Sequence, residues 1–134
     1  MKMLLALLVL SVLSLTAGCT TAVVFEDIAW VLESYGEKGN QQPVLEDSEI
    51  TATFKSAEGM VDGSAGCNRY FAEYEAKGDE LTLGMAGSTM MWCEGFMDQE
   101  KAYLDILQAA ETYQVKDGKL QISSGDNLLI FKHQ

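Results

Sequence analysis

His133 is the chain's one histidine and stands one residue from its end. Nucleophilic catalysis needs a nucleophile, a base and an orienting group within hydrogen-bond reach. A terminal imidazole is expected to be frayed and solvated, and neither G-x-S-x-G nor S-x-x-K occurs to support a serine enzyme. Glycosidase chemistry asks for two carboxylates flanking one bond, and 20 Asp and Glu residues guarantee chance neighbours without singling out a pair. No catalytic residue is assigned and no enzyme is expected. Met85, Met90, Met91, Trp92, Cys93 and Met97 form a thioether-rich stretch, and soft sulfur suits copper(I). Methionine also fills irregular gaps in cores; core packing is the expectation, with no metal and no cofactor. Asn68 and Arg69 follow Cys67 in a glycine-rich turn. Asn tolerates left-handed backbone and bonds neighbouring amides, whereas the Arg69 fork suits bidentate pairing with a carboxylate or phosphate. The pair is therefore a candidate contact for a partner or an anion.

The elements that would position these groups are mostly strands. Ala29 to Ser34 places Trp30 and Leu32 on one face, and Ile50, Ala52 and Phe54 alternate with Thr51, Thr53 and Lys55; period two means strand. Met60 to Gly63, Tyr70 to Glu75 and Leu81 to Gly84 are further strands, joined by turns at Glu58-Gly59 and Lys77-Gly78-Asp79. Asp117-Gly118 lies between Tyr113/Val115 and Leu120/Ile122, the signature of a two-residue type I′ hairpin. Ser124-Gly125-Asp126 then turns into a last strand, Leu128 to Lys132. One segment breaks the rhythm. From Asp98 to Ala110, Leu104, Leu107 and Ala110 or Glu111 recur at three- and four-residue spacing, with Met97 and Tyr103 extending the stripe. Asp98 is expected to cap this helix and Glu100 to favour its dipole from the first turn. A solitary helix on an antiparallel sheet covers one face or sits in the mouth of a curled sheet.

The chain has 134 residues and a formal net charge of −11, enough for one core and too short for a TIM barrel or a Rossmann unit with a second domain. Nine basic groups scattered among the acids argue against nucleic acid as a partner. Residues 1–18 read as a secretion signal: Lys2 precedes an uncharged apolar run, Met3 to Leu15, shorter than the about 20 residues of a membrane-spanning helix. Leu15-Thr16-Ala17-Gly18-Cys19 resembles the bacterial lipobox. The resemblance implies lipidation of Cys19, and Thr20 after it implies sorting to the outer membrane, facing the periplasm. Multiple acyl chains anchor durably. Residues 19–28 form a tether, which over the stretch from Cys19 to Trp30 reaches at most roughly 35 Å, and 29–134 the folded domain. Lipidation leaves Cys67 and Cys93 in an oxidising compartment, where they are expected to pair. The remaining acidity disfavours anionic lipid and favours a basic or neutral partner.

Gly63-Ser64-Ala65-Gly66-Cys67-Asn68-Arg69-Tyr70 with Tyr74 resembles the G-x-x-GCN-x-aromatic core of the META domain (HslJ-like) family. Trp30 and Leu32 match its opening W-x-L, Thr89, Met91 and Cys93 its T-x-M-x-C, Glu100 with Tyr103, Leu104 and Leu107 its helix, and Leu120 to Phe131 its closing hairpin. Ala72 stands where that family has glycine. The resemblance implies a mainly β (α+β) fold, a cracked antiparallel β-barrel-like sheet packed on one amphipathic helix. It also implies an envelope setting, and it puts Met91 in a buried position beside the disulfide. It implies no reaction, since fold does not fix function. Three readings follow in order: a membrane-anchored, non-catalytic module that binds an envelope protein and serves stress tolerance or assembly, a carrier of a small lipophilic ligand inside the sheet, and a copper(I)-binding protein.

Overall fold

A computed structural model of the chain describes residues 24–134, so the signal segment and Cys19 lie outside the described residues. The strands are β1 (Ala29–Glu37), β2 (Gln42–Pro43), β3 (Thr51–Lys55), β4 (Met60–Ser64), β5 (Arg69–Lys77), β6 (Glu80–Leu83), β7 (Gly87–Ser88), β8 (Thr112–Lys116), β9 (Lys119–Ser124) and β10 (Asn127–His133). The helix α1 (Met97–Gln108) lies between β7 and β8. Every ladder is antiparallel. The order β1-β3-β4-β5-β6-β8-β9-β10 returns to β1, because β1 pairs with β10 along Trp30–Glu37 as well as with β3. The sheet thus closes into a cracked, barrel-like ring. Its narrowest join is β6 to β8, a single residue pair, Glu80 with Thr112, flanked by Leu81 N–H donating to Glu111 O and Tyr113 N–H to Asp79 O.

Alternation explains which side chains enter. Ile50, Ala52 and Phe54, then Val61, Tyr70, Ala72, Leu81, Leu120, Ile122, Leu129 and Phe131 all point inward and are buried. Ala72 pairs regularly with Val61, so a residue with a Cβ fits this position without breaking the ladder. The Asp117-Gly118 turn has positive φ at both residues, 53° and 74°, which is the backbone a type I′ hairpin requires.

The helix lies against β1, β6, β9 and β10 and buries Tyr103, Ile106 and Leu107 together with the polar Gln99 and Glu100. Leu104 is half-buried. The expected Asp98 cap is not formed: Phe96 occupies the N-cap position and makes no side-chain bond. The chain enters the helix from Gly95, whose φ of 85° makes the reversal, and Asp98 is the second residue of the helix, in its first turn, where its charge still suits the dipole.

The folded part also begins earlier than Ala29. Phe25 is buried against Phe54, Tyr74 and Tyr113, its carbonyl accepts the Trp30 indole N–H at 2.8 Å, and Asp27 binds both the amide and hydroxyl of Ser56. The later residues of the 19–28 tether therefore belong to the core, because an aromatic ring there closes one end of the ring of strands. Among the described residues no helix is long and apolar enough to cross a membrane.

Candidate interaction site

Asn68 sits in the turn between β4 and β5 and is buried. Gly66 before it, at φ 109°, turns the chain so that two consecutive amides, Cys67 and Asn68, aim at the helix. Glu100 Oε2 accepts both, at 3.0 and 2.7 Å, and Oε1 accepts Asn68 Nδ2 at 2.6 Å. The other Nδ2 hydrogen goes to Met91 O at 3.0 Å. Asn68 Oδ1 accepts the Thr89 hydroxyl at 2.8 Å and the Met91 amide at 2.7 Å. A primary amide offers two donors and two acceptor positions; all four are used. Arg69 N–H donates to Thr89 Oγ1 and Thr89 N–H to Arg69 O. The disulfide Cys67–Cys93 adds a covalent tie from the same turn, with Cα atoms 5.8 Å apart.

The residues picked out by the family pattern therefore form one brace. Its partners Thr89, Met91 and Cys93 all belong to the segment 84–96, which joins β6 to α1. Gly63 belongs to the same architecture: a Cβ there would stand 2.0 Å from Thr51 O, the carbonyl that also accepts the Tyr70 hydroxyl. Tyr70 in turn shares a 2.7 Å hydrogen bond with Tyr103 of the helix. Burial raises the pKa of both phenols, and they remain neutral hydroxyls.

Two residues of the brace escaped the sequence reading. Gln99 accepts Leu45 N–H at 2.7 Å and donates to Ser48 Oγ at 2.9 Å, fixing the chain ahead of β3. Gln108 accepts Ala86 N–H at 2.9 Å and donates to Gly84 O, fixing the start of the 84–96 segment. Polar residues on a helix read as solvent-facing, and nothing in helical spacing shows that loops pass over them. The helix is a bolt through three loops.

The methionines correct an expectation. Met85, Met90 and Trp92 are 91%, 94% and 79% exposed, and Met91 is 58% exposed, so the thioether stretch does not pack in the core and Met91 is not buried beside the disulfide. The reason is the brace: it holds Met91 by its backbone N–H and C=O, which leaves the side chain outside. Phe71 is exposed too, lying across Gly87 of the same segment, where a Cβ would meet its ring at 2.6 Å. A braced segment and the strand beside it thus present five large apolar side chains to solvent.

The other candidates are less developed. Arg69 is exposed beside a surface hollow of about 290 Å³ shared with Asp62, Tyr70, Phe71, Ser88 and Thr89, and its guanidinium makes no ion pair among the described residues. Asn68 is a structural group with no capacity left for a ligand. His133 does not fray: it ends the β10 ladder opposite Trp30, ring centroids 4.6 Å apart. Both described cysteines are in the disulfide, so neither offers a thiolate to copper. Among the described residues no group of three or more His, Cys, Asp or Glu is placed to hold a metal ion. Side chains fill the interior, Tyr103, Leu107, Leu120 and Phe131 among them. A hollow of about 450 Å³ lies on the surface at Glu58, Glu73 and Glu75, outside this filled interior.

The sequence profile of the META domain matches residues 23–134. The fold is similar to an NMR structure of a protein from Burkholderia xenovorans, 27% identical, with a TM-score of 0.67 over 81% of this chain and 83% of that one. It is also similar to a crystal structure of a DUF4847 family protein from Bacteroides vulgatus, 16% identical, with a TM-score of 0.60 over 83% and 95% of the two chains. No curated protein sequence matches the chain.

Proposed function

Since the chain belongs to the META domain family, we propose that it is a membrane-anchored, non-catalytic envelope lipoprotein whose domain serves as an interaction module in stress tolerance or assembly. One observation carries the reading: the braced 84–96 segment holds Met85, Met90, Met91 and Trp92 in solvent beside Phe71. Monomeric proteins seldom expose large apolar patches without using them. Fixing the backbone in advance also reduces the ordering cost of binding. The anchor rests on the Leu-rich run and on Leu15 to Cys19, and the outer-membrane placement on Thr20.

The test is a photo-crosslinker placed singly at exposed positions of the full chain expressed in its own envelope, with Cys19→Ser alongside. The expected result is a discrete protein adduct from some positions and loss of membrane retention in Cys19→Ser. Absence of an adduct from every position would sink the module, and unchanged retention would sink the anchor.

A further inference from the structure

We propose that the Phe71, Met85, Met90, Met91 and Trp92 cluster is a docking surface for a protein segment that is apolar at its centre and flanked by lysine or arginine. The proposal rests on the interaction-module reading above and specifies its surface and the chemistry of its partner.

Two observations select this occupant. The first is charge. Glu73 lies two residues beyond Phe71 on the same outward face of β5, and Glu94 and Asp98 follow Trp92, all exposed. Arg69 borders the cluster as a cation, while nearby Lys101 is engaged by Asp105. With a net charge of −11 on the whole chain, two copies facing each other repel, whereas lysines or arginines on a partner are attracted and steered. The second is side-chain type. Trp forms binding hot spots and Met adapts to irregular apolar partners. Here both stand on a backbone immobilised by Asn68 and the disulfide.

Trp92 reports on its own surface, because the other tryptophan, Trp30, is buried and its emission stays constant. The full chain is reconstituted in zwitterionic phospholipid nanodiscs, and acrylamide quenching and emission wavelength are followed. The probes are a leucine- and phenylalanine-containing peptide flanked by lysines and the same peptide flanked by glutamates. The expected result is a Trp92 open to quencher in nanodiscs alone, then shielded and blue-shifted by the lysine-flanked peptide only. Met90→Gln or Phe71→Ser should weaken that binding by about tenfold, and Trp92→Phe should remove the signal. Both substituted positions are exposed, so folding is not at stake. Shielding by lipid alone would make the bilayer the occupant, and peptide-free shielding that grows with protein concentration would make it a second copy. No response, or equal response to both peptides, would overturn the proposal. If crosslinks in the envelope arise only from other faces, this surface falls and the interaction module stands.

Discussion

Replacing Glu100 by glutamine changes one oxygen for one NH2 and should cost more than almost any other conservative change in this domain. The carboxylate accepts three hydrogens, from Cys67 N–H, Asn68 N–H and Asn68 Nδ2. Glutamine has one oxygen to offer. If it faces the two amides, both bonds become neutral rather than charge-assisted, a loss of about 1 kcal/mol each, and the new NH2 confronts Asn68 Nδ2, donor against donor. The opposite flip is worse, since the NH2 then meets both backbone amides. Asn68 cannot turn to relieve it without presenting Oδ1 to Met91 O and Nδ2 to Met91 N–H. Adding one donor buried without a partner, at about 1–3 kcal/mol, and allowing for the easier burial of a neutral group, gives a net loss of about 2–3 kcal/mol. In urea, with a slope of about 1.3 kcal/mol/M for a domain of this size, the midpoint falls by about 2 M. Asn68→Ala on the same background should cost at least about 1 kcal/mol less than on the wild type, because the two residues share their bonds. A midpoint shift below about 0.4 M, or strict additivity in the double variant, would show that Glu100 and Asn68 do not act as a brace.

Other consequences can be checked with the same unfolding assay. Cys67→Ser with Cys93→Ser, opening a loop of sequence separation 26, should lose about 3.5 kcal/mol on the chain-entropy estimate, and the native chain should weigh about two mass units less than its reduced form. Gly63→Ala drives a Cβ into Thr51 O and should cost about 3 kcal/mol or prevent folding, whereas Gly78→Ala, with nothing within 4 Å, should lose only about 1 kcal/mol from its φ of 61°. Tyr70 and Tyr103 have raised pKa values in the fold through burial. Their contribution is intact below the unfolded tyrosine value near 10 and is lost as pH rises above it, by up to about 1.4 kcal/mol per pH unit for each phenol. Urea midpoints measured at pH 9 and pH 11 should differ accordingly, and less so in Tyr103→Phe.

Much of the fold could be read from local pattern. Alternation placed Ile50, Ala52 and Phe54 inward, and Asp117-Gly118 named its own turn. Strand partnership was harder, because nothing in the spacing of Trp30 or Phe131 says that the first and last strands meet. The family pattern marked Asn68, Thr89, Met91 and Glu100, but not that they converge, since the bonds joining them span 21 to 32 residues of chain and have no local signature. The methionines misled through composition: apolar side chains are expected inside unless the backbone is held elsewhere, and here Asn68 holds it. A hint was present in the run Thr89 to Trp92, which follows neither strand nor helix periodicity and is bracketed by Gly87 and Gly95. Gln99 and Gln108 left no hint, because a glutamine serving a passing loop looks like one facing water.

The join between β6 and β8 consists of one rung, Glu80 with Thr112, where β1 and β10 share seven. Rupture of that rung breaks two hydrogen bonds, Leu81 N–H to Glu111 O and Tyr113 N–H to Asp79 O, and parts the buried Phe25 ring from Tyr74 or Tyr113. Opening along this seam separates fewer residue pairs than opening along any other join of the ring, and it converts the closed ring into an open sheet with a bare strand on each side. Bare strands pair with whatever extended chain is near. The exposure of the ring to misassembly thus depends on how often two hydrogen bonds let go together as well as on its overall stability.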